Sequence, residues 1–504
     1  MTESVVQVSY ATLGTFLVYL LAMLAIGIYA YTRTKNSNDY FLGGRTLGPW
    51  PAALSAGASD MSGWLLLGLP GAAYISGVSA FWIALGLLSG TWLNWLLQAK
   101  RLRTYSIEAY DALTLPEYLS RRFFDKSGIL QVVSAVVILF FFLFYTASGL
   151  VAGGKLFETV FGIDGRYAMV VGALCVVSYT LFGGFLAVAW TDLVQGLMMA
   201  AALLIVPVVA LDGGNLMHLP EQLNAINPDL TNFLNDNGKE MGAMAIFSSL
   251  AWGLGYFGQP HILARFKASR SNKDLTTARR IAVGWTGISL CGAMLVGLVG
   301  LVYIGNHAEL AIADGKHETI FMVLVNALFH PVMAGVLLAA ILAAVMSTAD
   351  SQLLVASSAL AEDFYKQLFR KQAGNKELML VGRLSVIGIA LGALALGMCL
   401  EQSVMEFVSY AWAGFGAAFG PAILLSLYWS RMTRNGAVAG IVVGGVTVVV
   451  WKLLTGGIFD LYEIVPGFIF AVLAIVGVSL LDKKPSEAMS AQFARVEARL
   501  KTDP

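Results

Sequence analysis

The stretch SAGASDMSGWLLLGLPGA, from Ser55 to Ala72, decides the fold, because it interrupts an apolar segment with a carboxylate, three hydroxyls and four glycines. Glycine and proline interruptions free backbone amides and carbonyls, which is tolerated in lipid only where these groups are buried or line a cavity. A charge such as Asp60 within a membrane helix costs at least ~2.5 kcal/mol, so it is retained with a partner or a function. If the chain crosses a membrane, the stretch therefore indicates a broken helix beside a polar site.

The composition indicates a membrane protein. The chain has 504 residues, a mean hydropathy of +0.73 and 12% charged residues, against roughly 25% in soluble domains. Because a membrane helix needs about 20 apolar residues, the sequence predicts an all-α polytopic membrane protein with about 13 transmembrane helices. The predicted spans are 12–32, 48–70, 78–99, 128–153, 165–185, 188–211, 243–262, 279–304, 332–360, 378–400, 404–428, 436–455 and 460–482.

The positive charges are distributed unevenly between the two sides of the predicted membrane. One side holds 27 of the 32 lysines and arginines, in segments 33–47, 100–127, 186–187, 263–280, 361–383, 429–436 and 483–504. The others are Lys155, Arg166, Lys239, Lys316 and Lys452. Because positively charged loops stay in the cytoplasm, the N-terminus is predicted to be outside and the C-terminus inside, which requires an odd number of spans. Only Glu3 is charged before the first span, so no cleaved signal peptide is expected.

A second span is interrupted in the same way as the first. Span 243–262 contains AWGLGYFGQP, and it follows the broken span 48–70 by five spans. Interrupted helices at matching positions of two halves predict an inverted repeat with the substrate site at the breaks. The predicted divisions are an external segment with a peripheral helix (1–47), a five-helix repeat (48–211), an external loop (212–242), a second five-helix repeat (243–428), two peripheral helices (429–482) and a cytoplasmic tail (483–504).

An enzyme is not predicted. The glycines of AWGLGYFG match G-x-G-x-x-G, but a dinucleotide site needs a preceding strand in a soluble βαβ unit, which this region does not offer. The cysteines fall in or at the ends of predicted helices and are interpreted as apolar packing residues. We find no nucleophile–base pair or metal-ligand set in the sequence, and no nucleic-acid partner or cofactor is expected.

Several polar residues lie inside predicted spans. Asp60 and Asp350 lie deepest, whereas Asp192 and Glu406 lie close enough to an interface for a solvated role to be an equal alternative. The hydroxyls of Ser347 and Thr348 either bond back to their own helix or join carbonyls of the broken helix in an oxygen cage. Hard cations prefer oxygen ligands, and a cage without a carboxylate ligand favours sodium over calcium.

Four aromatic residues lie on or near the broken spans: Trp64, Tyr145, Trp252 and Tyr256. Packing in the protein core is one interpretation of these residues. The alternative is a small pocket with apolar walls and a few hydrogen-bonding groups from the indoles and phenols.

These motifs resemble the sodium/solute symporter family, and within it the bacterial branch that carries proline. The strings that carry the resemblance are FLGGRTLGPW, LSAGASDMSGWLLLGLPGA, FGGFLAVAWTD, AWGLGYFGQPHILARF, ILAAVMST and SYAWAGFGAAFGP. The resemblance implies an inverted five-helix repeat core with two broken helices, which agrees with the repeats inferred from the spans. It also implies sodium-coupled uptake (symport) of L-proline by alternating access, with sodium as the co-transported ion, in the cytoplasmic (inner) membrane of a bacterium.

The resemblance also implies roles for individual residues. It assigns sodium to the carbonyls of Ala58, Met61 and Ala344 and to the hydroxyls of Ser347 and Thr348. It assigns proline contacts to Ser62, Gly63, Trp64, Tyr145, Trp252, Tyr256 and Pro260. Asp60 would support sodium affinity, and Arg45 and Asp192 would affect coupling and ion access. The resemblance carries no role for Asp350, whose place in a supporting set rests on its depth in the span.

Two other functions stay open at this stage. A symporter for another small solute would share the ion site, and competition of labelled proline uptake by a panel of solutes separates it. A transporter-like sensor would usually carry a signalling domain, whereas segment 483–504 is a short charged tail. An ion channel is not favoured, because the sequence contains no filter-like motif.

Overall fold

The computed structural model describes residues 10–32, 42–211, 216–236, 238–400 and 402–502. Its α-helices are α1 Tyr10–Tyr31, α2 Pro49–Asp60, α3 Leu69–Ser76, α4 Phe81–Leu97, α5 Ala99–Glu108, α6 Leu115–Arg122, α7 Ile129–Phe161, α8 Gly165–Ala210, α9 Leu219–Ile226, α10 Ala243–Leu250, α11 Pro260–Ala268, α12 Asn272–Asn306, α13 Ile320–Leu328, α14 Pro331–Ser358, α15 Lys366–Leu368, α16 Asn375–Cys399, α17 Val404–Tyr428, α18 Arg434–Lys452, α19 Ile464–Leu481 and α20 Glu487–Thr502.

Shorter elements connect these helices. Two are π-helical, Trp64–Gly68 and Ala359–Tyr365. The 3-10 helices are Gly43–Arg45, Gly77–Ala80, Leu216–His218, Pro228–Thr231, Ala251–Gly258, Ala308–Leu310, His317–Thr319 and Gly457–Asp460. Two short strands, β1 Asn235–Asp236 and β2 Lys239–Glu240, form an antiparallel pair in which Asn235 faces Glu240.

The prediction of an all-α polytopic membrane protein is confirmed. Ten helices in the described residues are long and apolar enough to cross a membrane, and three shorter apolar helices accompany them. The count of thirteen spans stays a prediction, because the halves of a broken helix are individually short and α8 runs through two predicted spans. Within α8 the backbone departs from helical geometry at Gly184, with φ 61° and ψ −178°, between the predicted spans 165–185 and 188–211.

The first predicted break lies where the sequence places it. Helix α2 ends at Asp60, and Met61 has non-helical dihedral angles of φ −84° and ψ 79°. The chain resumes as a π-helix at Trp64. A Cβ added to Gly63 would lie 2.5 Å from the Cβ of Ala152 on α7, so a residue without a side chain is needed for this close approach.

The second break separates α10 from α11 by the 3-10 helix Ala251–Gly258. Gln259 is extended, and Pro260 occupies the first turn of α11, where its missing amide hydrogen costs nothing. A Cβ on Gly416 of α17 would lie 2.7 Å from the Cα of Gly255, so these two backbones pack almost in contact. The second broken helix is therefore held against α17 by glycine packing.

Helix α14 lies at the centre of the molecule. In the most apolar part of segment 331–368, 83% of the residues are buried, against 28% in α1 and 33% in α19. It packs against α7, α8 and α2, so the predicted ion-binding hydroxyls lie on the most enclosed helix. The divisions proposed from the sequence stay predictions, and positions 212–215 at the start of the external loop lie outside the described residues.

Candidate functional site

The break in the first helix meets the hydroxyls of α14. The Ser347 hydroxyl donates a hydrogen bond to the Ala58 carbonyl at 2.8 Å, and the Thr348 hydroxyl donates to the same oxygen at 3.4 Å. Ser347 also lies 3.2 Å from the Ala344 carbonyl on its own helix. The structure thus brings four of the five predicted sodium ligands together. Met61, the fifth, is fully buried at the first non-helical position after α2.

Asp60 links the two broken helices. Its Oδ2 accepts a hydrogen bond from the Tyr256 hydroxyl at 2.6 Å. Its backbone carbonyl accepts from the Tyr145 hydroxyl at 2.9 Å and from the Trp64 indole at 3.2 Å. Three predicted site residues therefore meet at the carboxylate and the backbone carbonyl of a fourth, Asp60, deep in the protein.

Two polar atoms in this cluster have unused hydrogen-bonding capacity. Within the described part of the chain, Asp60 Oδ1 and Ser62 Oγ are buried and have no hydrogen-bond partner. Buried polar groups are nearly always paired in folded proteins. An unpaired acceptor and an unpaired hydroxyl at a helix break are therefore candidates for ligand contact.

Trp252 and Pro260 flank Tyr256 along the chain and lie in different surroundings. The Trp252 ring stacks on Tyr462, with centroids 5.4 Å apart, and lines a cavity with the segment from 451 to 463. Pro260 lines a different and much smaller cavity, together with Ala264 and Lys267. The two residues thus line two different cavities.

A buried ionic network lies beside the ion-binding hydroxyls. The Arg265 guanidinium on α11 lies 3.2 Å from Asp192 Oδ2 and donates to Ser55 at 3.0 Å and to Ser351 at 2.5 Å. Ser55 donates to the same Asp192 oxygen at 2.6 Å, and Ser351 donates to Asp350 at 3.2 Å. The network joins both broken helices to α8 and α14.

Arg265 was missed by the sequence reasoning, which counted it with Lys267 among the charges of loop 263–280. That assignment is corrected, because both side chains are buried in α11. The signal was available in the composition of the spans. Asp192 is an acidic residue in an apolar helix, and such a residue usually has a cationic partner. HILARF, in the second half of the other broken span, supplied an arginine.

Arg45 lies away from the Asp60 cluster, among segments that come together near the end of α11. It pairs with Asp111 at 2.7 Å and donates to the carbonyls of Lys267 at 2.6 Å and Ala112 at 3.2 Å. Burial lowers the pKa of its guanidinium, which the Asp111 carboxylate opposes. Arg45 therefore contacts the C-terminal end of α11, and these hydrogen bonds do not reach the Asp60 cluster.

Glu318 connects a second set of segments, namely the loop before α13, helix α7 and the start of α17. Its buried carboxylate pairs with Lys155 of α7 at 2.5 Å and accepts the backbone amides of Val404 and Met405 at 3.2 Å each. These amides begin α17, where a helix terminus favours a negative charge. The loop before α13 is thus tied to the same helix that packs on the second break.

The fold and the site define a membrane transporter, because a polar cluster lies buried at the breaks of two interrupted membrane helices. The chain belongs to the sodium:solute symporter family, whose model matches residues 40–444. This membership agrees with the predicted class of a transporter rather than an enzyme. Sodium is the co-transported ion of the family, as the sequence resemblance implied.

Individual relatives resemble the chain over nearly its whole length. It is 51% identical to the sodium/proline symporter of Escherichia coli over 99% of this chain and 98% of the relative. It is 50% identical to the high-affinity proline transporter PutP of Bacillus subtilis over 94% of this chain and 98% of the relative.

Solved structures share the fold. A substrate-bound, outward-open Na⁺-coupled sialic acid symporter aligns with a TM-score of 0.80 and 21% identity, covering 95% of this chain and all of the other. Mhp1, a transporter of the nucleobase-cation-symport-1 family, aligns at 0.55 and 14% identity, covering 92% and 99%. The predicted fold class, apart from the number of spans, is therefore confirmed.

Proposed function

We propose that the protein takes up L-proline together with sodium by alternating access. The observation that carries the proposal is the convergence of the Ser347 and Thr348 hydroxyls on the Ala58 carbonyl, at the break of the first helix. The names of the two relatives that are about half identical to this chain support proline as the solute.

Sodium binds between the first break and α14 in this proposal. Its ligands are the carbonyls of Ala58, Met61 and Ala344 and the oxygens of Ser347 and Thr348. The two hydroxyls turn their hydrogens away from Ala58 when the ion enters, so that the Ala58 carbonyl and both hydroxyl oxygens present lone pairs to the ion. Asp60 is outside the ligand set and adds negative potential, so the ion is attracted and can still leave.

Proline binds beside this ion, against Ser62, Gly63, Trp64, Tyr145 and Tyr256. Its carboxylate meets the cation and the amides freed at the break, as anions do at helix N-termini. Its secondary ammonium meets a freed carbonyl or the unpaired Oδ1 of Asp60. Trp252 and Pro260 complete the set from the two sides of Tyr256, where each lines its own cavity.

The remaining residues couple the two ligands. Asp192 and Asp350 belong to the network that Arg265 organises between the broken helices. Arg45 holds the neighbouring segments against α11. Movement of α11 during the transport cycle would therefore reach the ion site through Ser55 and Ser351.

The protein lies in a bacterial cytoplasmic membrane with its N-terminus outside and its C-terminus in the cytoplasm. The distribution of positive charges supports this orientation, and it still does so without the buried Arg265 and Lys267. Labelling of single cysteines by an impermeant reagent in intact cells tests it, after replacement of Cys175, Cys291 and Cys399. Glu240 and Lys371 are exposed and are therefore suitable positions for the added cysteines. A cysteine at 240 should react from outside and one at 371 only after permeabilisation; the reverse pattern contradicts the orientation.

The solute is tested by equilibrium binding of labelled proline to purified protein, with sodium or with choline, and in competition with a panel of amino acids and carboxylates. Sodium-dependent proline binding that only close analogues displace supports the proposal. Stronger displacement by an unrelated solute assigns the protein to another substrate. Proline binding without uptake by vesicles indicates the transporter-like sensor.

A further inference from the structure

Arg122, the last residue of α6, places its guanidinium in the interior of the protein. Its Nε donates a hydrogen bond to the Ser426 carbonyl of α17 at 3.2 Å. Its two terminal nitrogens, Nη1 and Nη2, are buried and have no hydrogen-bond partner among the described residues. Because each of these nitrogens carries two N–H groups, four strong donors are unused. A buried charge is costly unless it is paired and hydrogen-bonded, so these donors indicate a ligand.

Three aromatic rings enclose this guanidinium. Its Cζ lies 4.9 Å from the ring centroid of Phe123, 5.0 Å from that of Tyr105 on α5 and 5.5 Å from that of Phe493 on α20. The ring faces stabilise a positive charge, but they are weak hydrogen-bond acceptors. The Tyr105 hydroxyl is itself buried and has no hydrogen-bond partner in the described part of the chain. The enclosure therefore offers unused donors from two side chains beside one positive charge.

The carboxylates of α5 and α20 are paired with other arginines. Glu108, at the end of α5, lies 2.9 Å from Arg499 and 3.4 Å from Arg495, both on α20. Glu497 of α20 pairs with Arg101 of α5. Together with the buried guanidinium, these groups are four cations and two anions, which leaves an excess of two positive charges. The contact between α5, α6 and α20 therefore attracts a negative charge.

These features define the kind of ligand that the enclosure fits. A metal ion is excluded, because a guanidinium stays charged and has no acceptor to offer. A zwitterionic amino acid fits poorly, because its ammonium would lie against the same positive charge. Water would accept from the unused donors but would leave the charge without a counter-ion. A small inorganic anion does both, and the full burial of the guanidinium among three rings favours a monatomic ion such as chloride over a phosphate.

We propose that Arg122 and Tyr105 bind a small inorganic anion, chloride, beneath the C-terminal helix α20. The terminal N–H groups of the guanidinium and the phenol hydroxyl donate hydrogen bonds to the ion. Phe493 of α20 forms one wall of the enclosure, so the bound anion stabilises the contact of α20 with α5 and α6. The site shares no residue with the Asp60 cluster, and the proposed orientation places it on the cytoplasmic side. It needs neither sodium nor the transported solute.

Thermal unfolding of the purified full-length protein tests this site, with chloride replacing gluconate at constant sodium concentration and ionic strength. Chloride should raise the melting temperature of the parent in a saturable way, because a ligand that binds only the folded state stabilises it. Hydrogen exchange of the α20 amides should slow in parallel. Tyr105→Phe removes one donor to the ion, so it should raise the half-saturating chloride concentration on the order of tenfold or more. Arg122→Gln should abolish the saturable response.

Tyr110→Phe and Arg166→Gln are matched controls, because both residues are exposed and lie outside the enclosure, and they should respond to chloride as the parent does. A parent whose melting temperature has no saturable dependence on chloride overturns the anion site. An unchanged half-saturating concentration in Tyr105→Phe also overturns it, because chloride then binds elsewhere. If Arg122→Gln does not fold, the parent and Tyr105→Phe still decide the outcome. Proline uptake enters none of these measurements, so the proposed function is tested separately.

Discussion

At the scale of single residues, the candidate site consists of buried polar groups, some of which have hydrogen-bond partners and some of which have none among the described residues. The Ser347 hydroxyl contacts the Ala344 carbonyl on its own helix and the Ala58 carbonyl of the broken helix. A bond within its own helix and a contact with the broken helix, the two alternatives that the sequence left open, therefore both occur in this side chain. Asp60 has one oxygen held by Tyr256 and one without a partner in the described residues. Such a carboxylate destabilises the protein unless a ligand pairs with its free oxygen, because the free-energy cost of removing a charge from water is large at this depth.

Thr348→Val is expected to weaken sodium binding. The change keeps the shape of the side chain and removes one oxygen from the proposed cage. A hydrogen bond or similar contact to a charged group is worth about 1.5–3 kcal/mol, which corresponds to a roughly 10- to 150-fold loss of sodium affinity. The measurement is the sodium concentration that gives half-maximal proline uptake. Linkage requires proline affinity at limiting sodium to fall and to recover as sodium is raised.

Ser357→Ala is the matched control for this change. Ser357 is a buried hydroxyl on the same helix, and its hydroxyl bonds to the Leu354 carbonyl at 2.9 Å. It should leave the sodium dependence unchanged. If the curve of Thr348→Val coincides with that of the parent at equal expression, Thr348 is not a sodium ligand.

Arg265 and Asp192 are expected to behave as one unit. Removal of one partner leaves a buried charge unpaired, which costs about 3–5 kcal/mol, whereas removal of both is much less costly. Arg265→Gln and Asp192→Asn should each lower the melting temperature and uptake, and the double variant should be more stable than the sum of the two losses predicts. Additive losses would contradict the network. The partly exposed pair Lys366–Glu362 is the control, for which coupling of about 0–1 kcal/mol is expected.

At the scale of elements, the two breaks have different causes. The first follows from a glycine and a serine after Asp60, where α2 ends and a π-helix begins. The second is a 3-10 helix closed by the extended Gln259 and by Pro260. Glycines let the second break lie directly on α17, while Arg265 ties its other half to α2 and α14. The broken helices are therefore positioned by contacts at both of their ends.

Gly255→Ala is expected to disturb the second break. A Cβ at this position would collide with the Trp412 indole, whose hydrogen bond to Trp252 holds the same segment. Overpacking of this kind costs about 1–3 kcal/mol, so the variant should melt earlier and bind proline more weakly. Gly388→Ala on α16 is the control, because an added Cβ there has no neighbour within 4 Å. Its stability should be equal or up to ~1 kcal/mol higher. Equal behaviour of the two variants would contradict the close packing.

At the scale of the whole molecule, much of the architecture could be predicted, because polar and unpaired backbone groups are costly in lipid and are therefore rare in membrane helices. Apolar runs revealed the helices, and the glycine, proline and aspartate interruptions revealed the two breaks. Asp60, Ser347 and Thr348 became candidate site residues because polar groups are rare at that depth, and their roles stay predictions. The contacts that depend on distant chain segments were not accessible, such as Tyr462 on Trp252. Arg265 was missed because it lies where a helix half meets a charged loop in sequence, and only packing shows that it is buried.

The number of spans could not be fixed for a related reason. A hydropathy run reports the length of an apolar segment, but not whether the backbone bends within it. Gly184 turns the chain inside a continuous apolar region, while the two broken helices divide theirs into short halves. The number of apolar runs therefore differs from the number of long continuous helices. Each predicted span nevertheless overlaps helical segments of the structure.

The central claim is that sodium entry drives proline uptake, and gradient-driven accumulation tests it most directly. Purified protein is reconstituted into liposomes, and labelled proline uptake is measured with an inward sodium gradient, with equal sodium on both sides, and with an equal gradient of choline. We predict transient accumulation of proline above its external concentration with the sodium gradient only, because symport makes the ion gradient available to the solute. Equal uptake under all three conditions, or uptake that never exceeds the external concentration, would contradict sodium-coupled symport.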